Sequence, residues 1–451
     1  MPTNSHIQGK GRKGQLPRGP HGLTPAEVAA DQRARLVDAM IYMLAQKGYA
    51  ATTVGDLIER AEVSRKTFYT HFDDRNNLLL EAFDVVSPTA YKQVEEAVRL
   101  KGGPTRQLEA LMRRLCQVAA DSPGTIALSA IEIAADSPAG LERRDRLMGD
   151  YGHLFERCLR TDEHHRELPA SLTRALAGSA YRTIDARLRV APAGLKELAP
   201  QLARWTRSYD PLPAGFELEQ PLRRDFSSVD GLAGGRAPGT LTLAPGGYRT
   251  PVAKQAKGFI HHLNRERILD AVAQLISESG YVPLTAQGIA ERADVSERAF
   301  LAHFKSKDDA FAAAIEVGHM KGMAIVARVR EAKSDWRTGV RDAVGALIEF
   351  FAAEPCFTRM ALVDAPLAGP AMVRRMHEHV AGYTQLLLDG APQRRHPPEV
   401  APEAAVHGLF ELVFHYAVQG QASQLVQVSR EAAYLVLAPF LGVSEAAEAA
   451  A

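Results

Sequence analysis

The feature that most constrains this chain is an internal repeat. When the 451-residue sequence is compared with itself at an offset of 232 positions, residues 33–72 align with residues 265–304 without a gap. The identical pairs run through the whole segment and include Arg33/Arg265, Gly48/Gly280, Thr53/Thr285, Ser64/Ser296 and Phe72/Phe304. A repeat period of this length indicates duplication of a whole domain and excludes a solenoid of short units.

Composition places the chain among folded globular proteins. Hydrophobic residues make up 46% and charged residues 24%, and a low aromatic content of 7% favours helices over a β-sandwich. The longest apolar stretch, residues 434–443, is too short to span a bilayer. The first 30 residues are basic and rich in glycine and proline without an apolar segment, so we expect no secretory signal. The three cysteines are too far apart for a disulfide framework or a four-thiolate zinc site (Cys116, Cys158, Cys356). We therefore expect a cytoplasmic protein without membrane association.

Two irregular stretches divide the chain. Residues 1–23 are basic, contain no acid and read either as a solubilising terminus or as an arm for polyanions. Residues 210–258 are rich in proline and glycine and are interpreted as a linker, with a possible short strand at 240–243. The expected domains are therefore 24–75 and 259–307, each followed by a larger helical domain at 76–209 and 308–445.

Each repeated segment predicts three helices. Thr24 and Glu27 form a capping box for the first helix, which Gly48 ends. Thr53 caps a short second helix and Ser64 caps a third that runs to Phe72. Two short helices joined by a turn of three or four residues are typical of a helix-turn-helix.

The outward side chains of the third helix can all form hydrogen bonds with phosphates or base edges: Arg65, Lys66, Thr67, Tyr69, Thr70 and His71. Because recognition helices enter the major groove with their N-terminal residues, Arg65 and Lys66 are the candidate base contacts. Tyr69, His71 and Arg75 are better placed for phosphates, and Thr53 and Ser64 complete the candidate DNA contacts of this copy. A solvated face on a structural helix is the alternative, but the duplication of the whole pattern favours double-stranded DNA as the partner.

The sequence resembles the TetR family of bacterial transcriptional regulators. The resemblance rests on residues 48–54 (GYAATTV), 58–61 (IERA) and 63–72 (VSRKTFYTHF). It implies an all-α fold in which a three-helix DNA-binding domain precedes a helical domain that dimerises and often binds a small inducer. It also implies base or phosphate contacts at Arg65, Lys66, Thr67 and Thr70, and backbone contacts at Tyr69 and His71.

The two copies depart from the family pattern to different degrees. Glu62 and Asp294 stand where the family usually has glycine. In the second copy, four outward positions change to Glu297, Ala299, Leu301 and Ala302, and residues 251–304 contain six basic and six acidic residues. We expect weaker phosphate neutralisation by the second copy. It either reads a different half-site or only holds the scaffold; its candidate contacts are Thr285, Ser296, Arg298, His303 and Lys307.

The remaining helical patterns, which include one at 357–365, carry the assembly and ligand hypotheses. The last two helices of each half, near 170–188 with 195–208 and near 402–420 with 429–441, are the candidate dimerisation helices. They pair either within one chain, as an intramolecular pseudo-dimer, or between chains as a homodimer. Candidate lining residues for a small apolar inducer, each of which can equally be plain core, are Met112, Cys116, Met148, Tyr151, Phe155, Phe350, Phe357, Met360, Met376 and Tyr383.

Other chemistry is poorly supported. Three histidine pairs lack further ligands at metal-binding spacing: His164/His165, His261/His262 and His377/His379. The chain has neither a phosphate-binding glycine loop nor a nucleophile elbow. We expect no cofactor, no metal and no enzymatic activity, with an enzyme and a protein-interaction module as the remaining alternatives. The sequence thus predicts a DNA-binding regulator that represses transcription until an inducer releases it, or one in which the first unit alone binds DNA.

Overall fold

The computed structural model describes residues 24–130, 133, 138–159, 168–209, 252–392 and 396–451. Within those ranges every regular element is helical, and none of the residues lies in a strand. The all-α fold predicted from the sequence is therefore confirmed. The basic tail at 1–23 and most of the predicted linker, including the possible strand at 240–243, lie outside the described residues.

The described residues of the first half form nine α-helices. Their bounds are α1 Pro25–Lys47, α2 Val54–Ala61, α3 Arg65–His71, α4 Arg75–Arg99, α5 Pro104–Asp121, α6 Pro123–Ala130, α7 Pro138–Leu159, α8 Ala170–Val190 and α9 Leu195–Thr206.

The second half repeats this order with one additional helix at its end. Its bounds are α10 Val252–Ser279, α11 Ala286–Arg292, α12 Glu297–His303, α13 Lys307–Glu331, α14 Trp336–Ala353, α15 Pro355–Arg359, α16 Pro370–Leu388, α17 Ala401–Val418, α18 Ser429–Leu441 and α19 Val443–Ala450.

The duplication extends through the whole of each half. Helices α2 to α7 begin at positions that an offset of 232 carries onto the first residues of α11 to α16, and α8 and α17 begin within one residue of that offset. The repeated segment found in the sequence is thus only the most similar part of the copy. It follows that α8 and α17 are equivalent helices of the two halves.

Two compact units divide the chain, and each has its own core. The first consists of residues 1–212 together with 397–408. In it α1 packs against α2, α4 and α6. Helix α5 packs against α7, α8 and α9, and α7 also packs against α8. Fully buried side chains such as Leu36, Leu57 and Phe68 hold the three N-terminal helices together.

The second unit consists of residues 213–396 and 409–451. Helix α13 packs against α10, α14 and α16, and α18 packs against α14 and α19. By length and composition α13 is the one described helix that could cross a membrane. Its contacts with three other helices are those of a core helix of a folded domain.

The predicted and observed helices differ in two places. Helix α10 begins at Val252, so its first turns fall inside the predicted linker. The single helix predicted at 357–365 is instead α15 followed by a π-helical turn at Met360–Asp364 and a 3-10 turn at Ala365–Ala368. Pro366 has no N–H to continue an α-helix, and Gly369 ends the segment with a φ of 94°.

Candidate nucleic-acid interface

The first three helices form a helix-turn-helix that we call the first head (residues 24–75). The predicted capping boxes are present at α1, between Thr24 and Glu27, and at α2, between Thr53 and Asp56. Ser64 accepts a hydrogen bond from the Thr67 N–H and caps α3. These caps fix where each helix starts, and so they fix which side chains of α3 point outward.

Arg35 of α1 holds the turn between α2 and α3. Its guanidinium Nη1 donates to the Ala61 carbonyl oxygen at 2.6 Å and to that of Glu62 at 3.3 Å. Glu62 adopts a left-handed conformation with a φ of 53°, which costs free energy for a residue with a side chain. Arg35 is identical to Arg267 of the second copy, but local sequence patterns do not predict this role, because the contact joins residues 26 positions apart.

Four side chains of α3 are exposed to solvent. Arg65 and Lys66 occupy its first turn, and Tyr69 and Thr70 lie one turn later; Tyr69 is 51% exposed. Phe68, on the opposite side, is fully buried and anchors α3 to the domain. The helix therefore presents two cations, a phenol and a hydroxyl on one exposed face, all able to bind phosphates or base edges. The Thr70 hydroxyl also donates to the Lys66 carbonyl oxygen at 2.9 Å.

The other predicted contacts in the first head are already engaged within the protein. The Thr53 and Ser64 hydroxyls cap helices, and the Thr67 hydroxyl lies 2.8 Å from that of Ser64. The Arg75 guanidinium donates to the carbonyls of Tyr49 and Thr52 and stacks over the Tyr49 ring. These residues position the head, and a direct contact of theirs with DNA stays a prediction.

His71 is half-buried at the end of α3. Burial, together with the charge of Arg33, lowers the pKa of its imidazole, which keeps the ring neutral at pH 7. Its Nε2 lies 3.1 Å from Oε1 of Gln32 on α1, a partner 39 positions away that no local sequence pattern predicts. An open groove of about 420 Å³ follows this contact between α1 and α3, lined by Pro25, Val28, Ala29, Gln32, Lys66, Thr67, Thr70 and His71.

The second head (residues 256–307) repeats the scaffold of the first. Thr285 and Ser296 cap α11 and α12, and Asp294 adopts the same left-handed conformation as Glu62, with a φ of 50°. Here Arg267 donates to the carbonyl oxygen of Asp294 and pairs with its carboxylate at 2.8 Å. Lys307 lies over the Tyr281 ring, where Arg75 lies over Tyr49 in the first head.

The outward face of α12 differs in chemistry from that of α3. Glu297 and Arg298 replace the two leading cations, and Leu301 is 56% exposed where the first head has Tyr69. Ala302 replaces Thr70, and His303 is half-buried at the helix end. The face offers one cation, one anion and an apolar side chain, so it provides fewer groups for phosphate binding.

The candidate inducer contacts lie mostly in the cores of the two units. Met112, Cys116, Met148, Tyr151 and Phe155 are buried among α5 and α7, and burial raises the pKa of the Cys116 thiol to about 12. In the second unit Phe357 and Tyr383 pack against glycines of α13: a β-carbon at Gly318 would lie 2.0 Å from the Phe357 ring, and one at Gly322 would lie 2.2 Å from the Tyr383 hydroxyl oxygen. The other candidates, Phe350, Met360 and Met376, lie on the surrounding helices α14 and α16 and in the π-helical turn.

Metal ligation has no visible basis in the described ranges. There, no group of three or more histidine, cysteine, aspartate or glutamate side chains is arranged to hold a metal ion. His319 and His379 stack at 3.6 Å, but Nε2 of His379 points to Glu316, and burial lowers the pKa of His319 to about 4.

Both heads match one known family. The model of the N-terminal domain of bacterial regulatory proteins of the tetR family matches residues 36–82 and 268–314. These two stretches cover α2, α3, α11 and α12 together with parts of the flanking helices. The match therefore falls on both copies of the helix-turn-helix.

Individual relatives are regulators of the helix-turn-helix type. YerO of Bacillus subtilis, described as an uncharacterized HTH-type transcriptional regulator, is 31% identical over 81 residues, which are 17% of this chain and 27% of YerO. The HTH-type transcriptional regulator CymR of Pseudomonas putida is 29% identical over 157 residues, 32% of this chain and 75% of CymR. The chain thus spans about a quarter of the length of YerO and three quarters of that of CymR.

A solved structure is also similar to part of the chain. The transcriptional regulator FadR from Bacillus subtilis, in complex with stearoyl-CoA, is 16% identical and has a TM-score of 0.35. The similarity covers 39% of this chain and 97% of FadR.

Proposed function

Because this chain belongs to the TetR family of bacterial regulatory proteins and carries two tandem units of it, we propose that it represses transcription by occupying an operator through two unlike heads of one chain. A DNA-binding transcriptional regulator is the premise. Repression, release by an inducer and the pairing of the two halves are the proposed parts.

The exposed face of α3 carries the proposal. Arg65 and Lys66 lie in the first turn of a capped helix, and the free N–H groups of that turn add to their attraction for phosphates. An arginine at this position can donate two hydrogen bonds to the edge of a guanine. The first head is therefore the main reader of the operator, with Arg65 specifying sequence and Lys66 and Tyr69 holding the backbone.

The pairing of the halves is supported by the composition of the first unit. Residues 397–408, from the second half of the sequence, belong to that unit and contact its candidate dimerisation helices. The Val400 N–H donates to Gln201 of α9 at 3.1 Å, and Ser179 of α8 donates to the Ala404 carbonyl at 2.6 Å. These contacts favour pairing within one chain over the alternative of a homodimer.

An inducer would act by shifting the population of head orientations away from the one that fits DNA. The aromatic side chains of Phe357 and Tyr383, which pack against Gly318 and Gly322 of α13, are the candidate contacts of an apolar ligand in the second unit.

The test is selection of a duplex from a random DNA pool, followed by binding titrations. We expect Arg65→Ala to weaken binding to the selected duplex by about 5–150-fold, the effect of losing about 1–3 kcal/mol. The matched control is Arg106→Ala, which removes an exposed arginine of α5 outside the head and should leave binding within twofold. Equal affinities for wild type, Arg65→Ala and Arg106→Ala would contradict the assignment of α3 as the recognition helix.

A further inference from the structure

The equivalent helices α8 and α17 carry opposite net charge. Helix α8 contains four arginines and one aspartate, whereas α17 contains two glutamates and neither lysine nor arginine. At the offset of 232, Arg182 and Arg187 of α8 correspond to Phe414 and Gln419, so the second copy lacks those cations. Two copies of one ancestral helix have thus become electrostatically unlike.

The first unit contains a row of contacts between α8 and the start of α17. Along α8, Ser179, Thr183 and Arg187 recur every four residues and so lie on one face. The Ser179 hydroxyl donates to the Ala404 carbonyl at 2.6 Å, and the Thr183 hydroxyl lies 2.9 Å from Nδ1 of His407. Nη2 of Arg187 lies 3.1 Å from Oε2 of Glu403.

The inner part of this row is sealed from solvent and its outer end is not. Ser179 and Thr183 are completely buried, and His407 is 2% exposed, so each of these polar groups depends on a partner across the contact. The Arg187 and Glu403 side chains are 40% and 31% exposed. The buried hydrogen bonds fix the alignment of the two helices, and the ion pair adds a preference of charge.

We propose that this row of contacts is a pairing code, in which α8 selects α17 and rejects a second copy of itself. The inference rests on the proposed pairing of the two halves and names the residues that determine it. Pairing α8 with α8 would bring together two helices of net positive charge, and pairing α17 with α17 would bring together two of net negative charge. Only the unlike pair places an arginine opposite a glutamate.

The Arg187–Glu403 pair is partly buried, which makes it sensitive to loss of either partner. Burial raises the pKa of Glu403, and the charge of Arg187 only partly opposes that rise. A carboxylate in such a place is costly unless a cation faces it. The first half of the chain would therefore pair with the second half of the same chain, and neither half would form a homodimer.

The experiment is a charge-swap cycle in the full chain. The variants are Arg187→Glu, Glu403→Arg and the double variant, and the measurements are the thermal unfolding midpoint and the solution mass by light scattering. We expect each single change to lower the midpoint by roughly 2–4 °C, since each places like charges together. The double variant should recover most of that loss because it restores an unlike pair in reversed order.

The matched control uses an ion pair outside the row. Arg146 and Glu142 of α7 lie 2.8 Å apart with side chains 68% and 71% exposed. Swapping these two charges, singly or together, should move the midpoint by less than about 1 °C, because exposed pairs contribute little.

The outcomes separate the code from the proposed function. Losses in the single variants that simply add in the double variant would overturn the code. Recovery in the double variant with a wild-type mass of one chain, 49.0 kDa, supports both. Recovery with a wild-type mass of two chains would keep the code but place the unlike pair between chains, which overturns the intramolecular pseudo-dimer.

Discussion

Helices α3 and α12 have the same length, caps and preceding turn but different side chains on their exposed faces. Each has seven residues, a serine cap, a buried phenylalanine and a left-handed acidic residue in the preceding turn. Their exposed faces differ: α3 begins with two cations, whereas α12 begins with Glu297 followed by Arg298. The difference teaches that the scaffold of a recognition helix and its binding face can diverge independently.

The residues shared by the two heads explain why the scaffold survived. Arg35 and Arg267 each hold the turn carbonyls, and Arg33 and Arg265 each stack on the last phenylalanine at 5.0 and 5.6 Å. These contacts are internal to a head and do not depend on DNA. Identity between the copies therefore marks structural residues, while the divergent positions mark the binding face.

The largest expected effect on DNA binding comes from exchanging the charges of the first residues of α3 and α12. We expect Arg65→Glu to weaken binding to the selected duplex by on the order of 100-fold, because it removes a base contact and sets a carboxylate against phosphates. The reciprocal Glu297→Arg should strengthen binding several-fold and steepen its salt dependence by roughly one unit. Fluorescence titrations at several salt concentrations measure both.

The two variants also serve as each other's control. A loss for Arg65→Glu without any gain for Glu297→Arg would show that α12 does not approach DNA. Equal and opposite effects would show instead that the two heads contribute alike, which contradicts the dominance of the first.

A second prediction concerns the contact between each head and its helical domain. In the first unit Gly124 of α6 lies against α1, so that a β-carbon there would come within 2.1 Å of the Ile41 carbonyl oxygen. In the second, buried Asp364 accepts a hydrogen bond from the Tyr281 N–H at 3.2 Å, and its Oδ2 lies 3.4 Å from Arg359. Burial raises the pKa of Asp364 to about 6, more than Arg359 lowers it.

The sign of the pH effect follows from that rise. Between about pH 4 and 6 the folded state holds a proton on Asp364 that the unfolded state has lost, so this group costs stability as the pH rises through that window. Asp364→Asn should remove this pH dependence and stabilise the second unit at pH 7 by on the order of 2 kcal/mol. Denaturant unfolding at pH 4.5 and pH 7 measures the effect, and an unchanged pH profile would contradict it.

The smallest expected effect is on the stability of the two heads and concerns the left-handed residues Glu62 and Asp294. Glu62→Gly should stabilise the first head by about 0.5–1 kcal/mol, since glycine adopts a positive φ without steric cost. Asp294→Gly should gain less, because it also removes the carboxylate that pairs with Arg267. Equal gains in unfolding free energy would show that this ion pair has no influence on the turn.

Much of each head could be predicted from the sequence. The caps at Thr24, Thr53 and Ser64 and the exposed face of α3 follow local rules of spacing and hydrogen bonding, and the structure reproduces them. The internal use of Arg75 could not be predicted, because its partners at Tyr49 and Thr52 are brought near by the fold rather than by the sequence.

Other features depended on long-range packing in the same way. The predicted helix at 357–365 is broken by a π-helical turn beside the second head, where Asp364 contacts Tyr281 across 83 positions. The row of contacts on α8 involves residues more than 200 positions away, so helical periodicity gives no sign of it. The assignments of bases, phosphates and inducer contacts to individual residues stay predictions.

The most direct measurement of the central claim is the mass of the complex formed with the selected duplex, read together with the sequence of that duplex. We expect one chain of 49.0 kDa on each duplex and two half-sites of different sequence, one for each head. Two chains on a symmetric site, with binding unchanged by Glu297→Arg, would show that only the first head reads DNA and would contradict it.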